Sequence, residues 1–394
     1  MESLKVWMDA RTVGDLEGPD PFVFGYRQGV DASLAVSLTM PVRLQSWTDR
    51  ALHPIFQMNL PEGAMLIAIR QAIAKIARTD DLSLLRILGG YQIGRNRFTP
   101  PDEELPSPSP PESLEDILKY PDTEELFYDL MKRYLLRSGV SGVQPKVLLD
   151  ARDRATFRSC AYVVKSWGAD HPQLAANEYF CMTAAIRSGL PAPEFHLSDD
   201  GRLFIMKRFD IDPAGKDLGF EDMCVLQGIG ADRKYDGTCE RVARAIERYV
   251  SAGHRAAAKE IFFQSLVLSV AVRNGDAHLK NYGVVYGDPL GNNIRLAPIY
   301  DVVTTAAYIP RDIPALSLGG SKKWWSVGAL RKFGISHCGL SQGRIREILD
   351  AVTGAVGDAR AQIRRYAEDH PDFRETAAGM LAAWEAGLTG LEEK

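Results

Sequence analysis

The stretch Arg273-Asn274-Gly275-Asp276-Ala277-His278-Leu279-Lys280-Asn281, with Tyr300-Asp301 downstream, decides how this chain is read. Its residue types suit a transfer chemistry. A carboxylate such as Asp276 can accept the proton of an attacking hydroxyl. The Asn281 carbonyl and the Asp301 carboxylate are hard oxygen ligands of the kind Mg²⁺ takes. Lys280, with His278 beside it, can offset charge on a group in flight.

The surroundings support that reading. Upstream, Ile261–Val272 is predominantly apolar, with only Gln264, Ser265 and Ser269 polar, and predicts a buried helix that delivers the polar loop from a rigid element. Downstream, Tyr282–Tyr286 reads as a strand, Gly287-Asp288-Pro289 as a turn, and Ile294–Pro298 as the partner strand. Such a hairpin would return Asp301 to the side of Asn281. Asp276 and Asn281 are five positions apart, the separation a protein-kinase catalytic loop uses between its base and its metal-binding Asn. The bland alternative is an Asn-Gly-Asp turn after a helix. The second Asp and the intervening hairpin favour the catalytic loop.

Other kinase parts fall in order upstream. Ala161–Lys165 is a strand ending in Lys165, the form of a phosphate-pairing lysine. A helix starts near Asn177-Glu178 and closes at Gly189 and Pro191. Glu178 could pair with Lys165, or Asn177 could position the lysine or a loop. Arg137–Lys146, rich in small residues before the strand Val147–Asp150, is a weak phosphate-loop signal on physical grounds. Leu203–Asp210 reads as a strand running into a hinge. Arg208 and Asp210 are as well explained by structure as by binding. Lys234–Gly237 reads as a surface turn, and Trp324-Trp325 as core. Arg95-Asn96-Arg97 reads as a solvated turn rather than a phosphate site.

At the N-terminus, Leu4–Met8 and Phe22–Tyr26 are strand-like, with Gly14 and Gly18 marking turns. Helices are expected over about 64–77 and 82–88. Thr99 to Pro111 carries six prolines among Asp, Glu and Ser and reads as an exposed linker. The expected division is an N-terminal subdomain over 1–99, the linker over 100–112, an N-lobe over 113–210 and a helical C-lobe over 211–394. The fold class is α+β, protein-kinase-like and two-lobed, with an N-terminal α/β subdomain. No run of 18 apolar residues and no basic-then-apolar leader is present, and the five cysteines are scattered, so a reduced, cytoplasmic protein is expected, with no membrane partner. A formal net charge of −4 argues against a basic, sequence-independent DNA surface.

Taken together, the segments Asp276–Asn281, Pro298–Asp301, Gly142–Lys146, Asn177–Cys181, Lys207–Asp210 and Glu221–Cys224 resemble the HipA family of bacterial serine/threonine kinases. These are the toxin components of HipBA toxin–antitoxin modules. The openings Val6-Trp7-Met8 and Val13–Leu16 resemble that family's N-terminal subdomain.

The resemblance implies a kinase that uses ATP and Mg²⁺. Asp276 would be the base, Asn281 and Asp301 the metal ligands, and Lys165 the phosphate ligand. Ser141, Gly142, Val143, Gln144 and Lys146 would form the loop over the nucleotide, with Lys207, Phe209 and Tyr300 as further neighbours. The serine usually autophosphorylated in this loop aligns with Gly139, so Ser141, then Ser138, are the candidates here. The family's substrates imply an aminoacyl-tRNA synthetase as target. A HipB-like helix-turn-helix antitoxin is the implied partner, bringing the chain to DNA only indirectly. Two other readings remain: a small-molecule phosphotransferase, which shares the Asp–Asn spacing, and a nucleotide-binding corepressor.

Overall fold

The structure, a computed structural model, describes residues 2–73, 80–142, 144–153 and 159–392. Strands β1 (Glu2–Met8), β2 (Arg11–Gly18), β3 (Phe22–Tyr26), β4 (Trp47–Asp49) and β5 (Arg97–Thr99) form an antiparallel sheet in the order β4-β3-β2-β1-β5. Alternation along β1 turns Leu4, Val6 and Met8 to one buried face. There they meet residues of helices α1 (Pro54–Gln57), α2 (Gly63–Ile73) and α3 (Asp81–Leu88). Gly14 does not mark a turn. It lies within β2, opposite Val6 and Tyr26, where a Cβ would come 2.5 Å from the Phe24 ring. Residues 74–77 of the expected first helix lie outside the described residues.

The second sheet runs β6 (Glu112–Ser113), β7 (Lys146–Arg152), β8 (Ser159–Lys165), β10 (Phe204–Lys207), β9 (Phe195–Leu197). Helices α4 (Leu114–Leu118) and α5 (Thr123–Tyr134) cover one face, meeting Val147, Leu149, Val164 and Ile205. The other face, with Phe204 and Met206, joins α6 (Leu174–Arg187) and the large C-terminal core. The Pro-rich stretch is mostly exposed and touches the N-terminal subdomain and the end of the segment after α5. Tyr91 Oη donates to the Ser107 carbonyl at 2.5 Å and Arg137 to Ser109 Oγ at 2.5 Å.

The C-lobe is built on α7 (Met223–Gln227), α8 (Cys239–Tyr249), α9 (Arg255–Val272), α10 (Val327–Ser336), α11 (Gln342–Asp369) and α12 (Arg374–Leu391). Helix α9 is buried on all sides from Phe262 onward because α6, α11 and α12 surround it, and its polar Gln264, Ser265 and Ser269 each donate to a backbone carbonyl. A small sheet, β11 (Gly219–Asp222), β12 (Gly283–Tyr286) and β13 (Arg295–Leu296), carries the expected hairpin. Strand β11 has one large apolar residue, Phe220, and gave no strand signal. Its Glu221 is buried and accepts from Ser37 Oγ and the Leu38 N–H, each at 2.7 Å, and from Tyr286 Oη.

The N-terminal subdomain and the C-lobe share a core. Phe220, Val225, Val285 and Ala297 belong to the same apolar cluster as Leu4, Phe24 and Phe56. Polar groups seal the junction. Arg95 reaches across to the Gly287 carbonyl at 3.4 Å and, within its own subdomain, donates to the Ala35 carbonyl at 2.8 Å, as Asn96 does to that of Val36 at 3.1 Å. Both side chains are buried, so this segment is an internal clasp and not a solvated turn. Arg208 and Asp210 form a buried pair (2.7 Å). Arg208 also donates to the Gln92 carbonyl, and Asp210 accepts from the Gly94 N–H.

Candidate active site

Helix α9 ends at Arg273, a non-glycine residue held at φ +55°. Its guanidinium donates to the Ala386 carbonyl at 2.7 Å and lies 4.7 Å over the Trp324 ring. That anchorage fixes the exit of the catalytic loop. The Gly275 N–H donates to Thr305 Oγ1 (2.7 Å), and the Asp312 carboxylate occupies the space a Cβ on Gly275 would need. The Asp276 N–H is received by Asn274 Oδ1 at 3.1 Å. The 3-10 turn Leu279–Asn281 then leads into β12.

The hairpin returns the chain to this loop. The Asn281 amide donates to the Asp301 carbonyl at 3.5 Å, and Tyr300 Oη donates to the Lys280 carbonyl. Lys165, at the end of β8, reaches Glu178 on α6, and its ammonium lies 3.7 Å from Asp301 Oδ1. Glu178 is therefore the lysine's partner. Asn177 instead ties α6 to the segment after Asp301, donating to the Thr304 carbonyl (3.1 Å) and accepting from its N–H (2.8 Å).

These groups line a cavity of about 340 Å³, ordinary for a small-molecule site. Val163, Met206, Phe209, Phe220 and Tyr300 make its apolar part, with Phe209 stacked on Tyr300 at 5.1 Å. Ser141, Gly142, Gln144 and Lys146 line it from the loop side, together with Lys165, Asp276, His278, Lys280, Asn281 and Asp301. Lys146 is buried and donates to the Ser141 carbonyl at 3.2 Å. Val143 lies outside the described residues.

Charge is unevenly arranged around the cavity. Burial opposes ionisation of Asp301, but Lys165 and Lys146 outweigh it and hold the carboxyl below the usual carboxylate range. Burial also opposes the charge on Lys165, yet Asp301 and Glu178 keep it protonated. Lys146 is pushed below the usual lysine range by burial and by neighbouring Lys165. Burial raises Asp276 to about 6, against a lowering hydrogen bond from Tyr235. His278 is neutral, pushed down to about 3 by burial and by Lys234.

Three expected placements change. Ser138 is fully buried; its hydroxyl donates to the Tyr134 carbonyl (2.7 Å) and accepts from the Leu148 N–H (2.9 Å). It is a structural hydroxyl out of reach of the cavity, unlike Ser141. Lys207 does not line the cavity. Strand alternation turns Met206 inward and Lys207 away, with its ammonium 3.9 Å from Glu194. Lys234–Gly237 is a turn with Tyr235 and Asp236 exposed, but the Lys234 side chain is buried and faces the cavity instead of solvent.

That last correction exposes residues the sequence reading missed. Tyr235 Oη donates to Asp276 Oδ1 at 2.7 Å, and its ring meets His278 edge-on. Glu62, from the N-terminal subdomain, accepts from Lys280 at 2.6 Å with one oxygen and from Lys234 at 2.7 Å with the other. Burial would raise Glu62, but Lys280 and Lys234 hold it down to about 2. Glu62 sits in a Pro-Glu-Gly loop with no periodicity to flag it. The arrangement as a whole can bind a polyanion beside an apolar ring system and place a carboxylate to receive a proton.

Comparisons with known proteins give the family and the fold. A model of the HipA-like C-terminal domain matches residues 138–360, and one of the HipA N-terminal domain matches residues 4–99. Two Sinorhizobium fredii proteins named for kinase activity are similar. Y4mE is 28% identical over 331 residues, covering 77% of this chain and 78% of its own. Y4dM is 27% identical over 308 residues, covering 72% and 69%. Among solved structures, HipA of Shewanella oneidensis MR-1, determined in a complex with HipB and its operator DNA, superposes with a TM-score of 0.69. At 18% identity it covers 97% of this chain and 96% of its own, and it carries the same two-lobed, kinase-like fold. The chain belongs to the HipA family, and it is a HipA-type kinase.

Proposed function

We propose that this chain is an ATP-dependent serine/threonine protein kinase, the toxin of a HipBA-type module, acting on a translation protein of the aminoacyl-tRNA synthetase class. The observation that carries the chemistry is the convergence of Lys165, Asp276, Lys280, Asn281 and Asp301 on one cavity with an apolar wall. In this reading Phe209, Met206 and Tyr300 receive the adenine, and Lys165 and Lys146 hold the phosphates. Asp276 orients the acceptor hydroxyl and takes its proton. Lys280 offsets charge on the transferred group, and neutral His278 packs beside it.

Asn281 and Asp301 would hold Mg²⁺. Two protein oxygens, one of them ionised, fit an ion that keeps waters and shares substrate phosphates. When bound, the ion neutralises charge on the phosphates. Among the described residues no cluster of three or more His, Cys, Asp or Glu forms an all-protein cage, which is consistent with that class of site.

A HipB-like helix-turn-helix antitoxin is the proposed partner, supported by likeness to a HipA solved with HipB and operator DNA. The net charge of −4 suits a chain that reaches DNA through such a partner. A reducing cytoplasm suits its five free cysteines, and no described helix is long and apolar enough to cross a membrane.

Labelled ATP with Mg²⁺, given to wild type and to Asp276→Asn with and without cell extract, tests the proposal. Label on an extract protein, lost in the variant, supports it. Label only on a small molecule points to a phosphotransferase. ATP binding with no transfer anywhere points to a corepressor.

A further inference from the structure

We propose that Glu62, supplied by the N-terminal subdomain, is a positioning residue of the active site that holds Lys280 and Lys234 at the reaction end of the cavity. The inference rests on the kinase reading above, in which Lys280 offsets charge on the transferred group.

The contact is built in, not incidental. Gly63 has φ +50°, a backbone turn that side chains rarely adopt, and it directly follows Glu62 where the chain enters α2. The preceding loop is tied down, with the Asn59 amide donating to the Ile93 carbonyl at 2.7 Å. Gln57 Oε1 accepts from the Ala231 N–H at 3.3 Å, so the same segment grips the Lys234 turn twice. The Leu279 N–H donates to the Lys234 carbonyl at 3.1 Å, joining that turn to the catalytic loop. Glu62 then cross-links the two lysines through separate oxygens.

This matters because a lysine side chain is a flexible stem ending in a point charge. Lys280 lies four residues beyond Asp276 and is nearly buried, so its direction must be set by a partner. Among the described residues, Glu62 is the carboxylate that ion-pairs with both lysines. One carboxylate between two ammonium groups leaves a net positive charge, which suits an incoming phosphate while fixing where that charge stands.

The test is a double-mutant cycle on the full chain: wild type, Glu62→Gln, Lys280→Met and the double variant, with Glu62→Asp as the conservative control. Phosphoryl transfer is followed at varied ATP. Each protein is also pulsed with acetic anhydride, and acetylation of Lys280 is read by peptide mass spectrometry. Glu62→Gln is expected to lower kcat about tenfold or more with little change in KM for ATP, because orientation and not binding is lost. In the Lys280→Met background the same change should cost nothing further. Glu62→Asp should recover part of the rate, and Lys280 should acetylate several-fold faster in Glu62→Gln than in wild type.

Multiplying effects in the double variant, a Glu62→Gln enzyme at the wild-type kcat, or unchanged Lys280 acetylation would each overturn the proposal. Failure of wild type to transfer label to any acceptor would instead sink the kinase reading, and the acetylation result would then decide by itself whether Glu62 holds Lys280.

Discussion

Replacing Glu178 by glutamine removes a charge and almost no volume. The amide oxygen can still accept from Lys165, so the change isolates the ionic part of the pair. Both side chains are buried, and Glu178 is wholly so. Removing one partner of a buried ion pair costs about 3–5 kcal/mol. Here the loss is cushioned, since Asp301 stands 3.7 Å from the same ammonium and remains to compensate it. The expected destabilisation is therefore at the low end, about 3 kcal/mol, or roughly a hundredfold in the folding equilibrium. Urea denaturation of both proteins near pH 8.5, above the value of about 7 to which burial raises Glu178, reads it directly. The double variant Glu178→Gln with Asp301→Asn should cost more than the two singles added, because Lys165 then has neither carboxylate. A loss below about 1 kcal/mol, with additive singles, would put the pair in the class of exposed salt bridges and refute the reasoning.

Three further predictions concern the loop and the base. Phosphoryl transfer should fall as pH drops through about 6, since Asp276 must be ionised to accept a proton and burial raises it to that value. Tyr235→Phe removes a lowering hydrogen bond and should move this acidic limb to higher pH; a limb near pH 4 in both proteins would contradict the placement. Ser138→Ala should destabilise by about 2 kcal/mol or more, leaving a buried N–H and a buried carbonyl unpaired, while Ser141→Ala stays within about 0.5 kcal/mol. Phosphopeptide mapping should find no mark at Ser138. Gly139→Ser should cost about 1–3 kcal/mol in thermal or urea unfolding, because a Cβ there would stand 2.5 Å from Gln92 Cγ and 2.7 Å from the Tyr91 carbonyl. Wild-type stability in that variant would show that the loop can move aside.

The Asp276–Asn281 loop was legible because its information is local. Asp276, Asn281 and Asp301 are fixed by spacing and one hairpin, and α9 announces itself by a run that is mostly apolar from Ile261 to Val272. The Lys165–Glu178 pair was half legible, since a strand-end lysine and a following helix narrow the partner to neighbouring residues without choosing between them. Lys207 was implied by the family resemblance, and strand alternation here turns it to the far side from the cavity-lining Met206. Glu62, Lys234 and Tyr235 were hidden for a different reason. They lie in short turns, 62 and 234 being 172 positions apart, and only tertiary packing brings them together. Ser138 and Gly139 carried no sign of burial, because small residues before a strand read the same whether the loop is free or pinned. Here Gly139 bridges to Gln92.

The apolar cluster common to residues 4–98 and to Phe220, Val225, Val285 and Ala297 has a consequence for how such chains can diversify. A subdomain with a private interior can be exchanged between genes as a cassette. This one cannot be exchanged so freely, because a donor segment must present a surface that fits four residues encoded more than a hundred codons downstream. Recombination within the family should therefore leave successful junctions rare at the linker, even though its sequence is the most permissive in the chain, and chimaeras joined there should express as aggregates unless those four positions are transplanted with the segment.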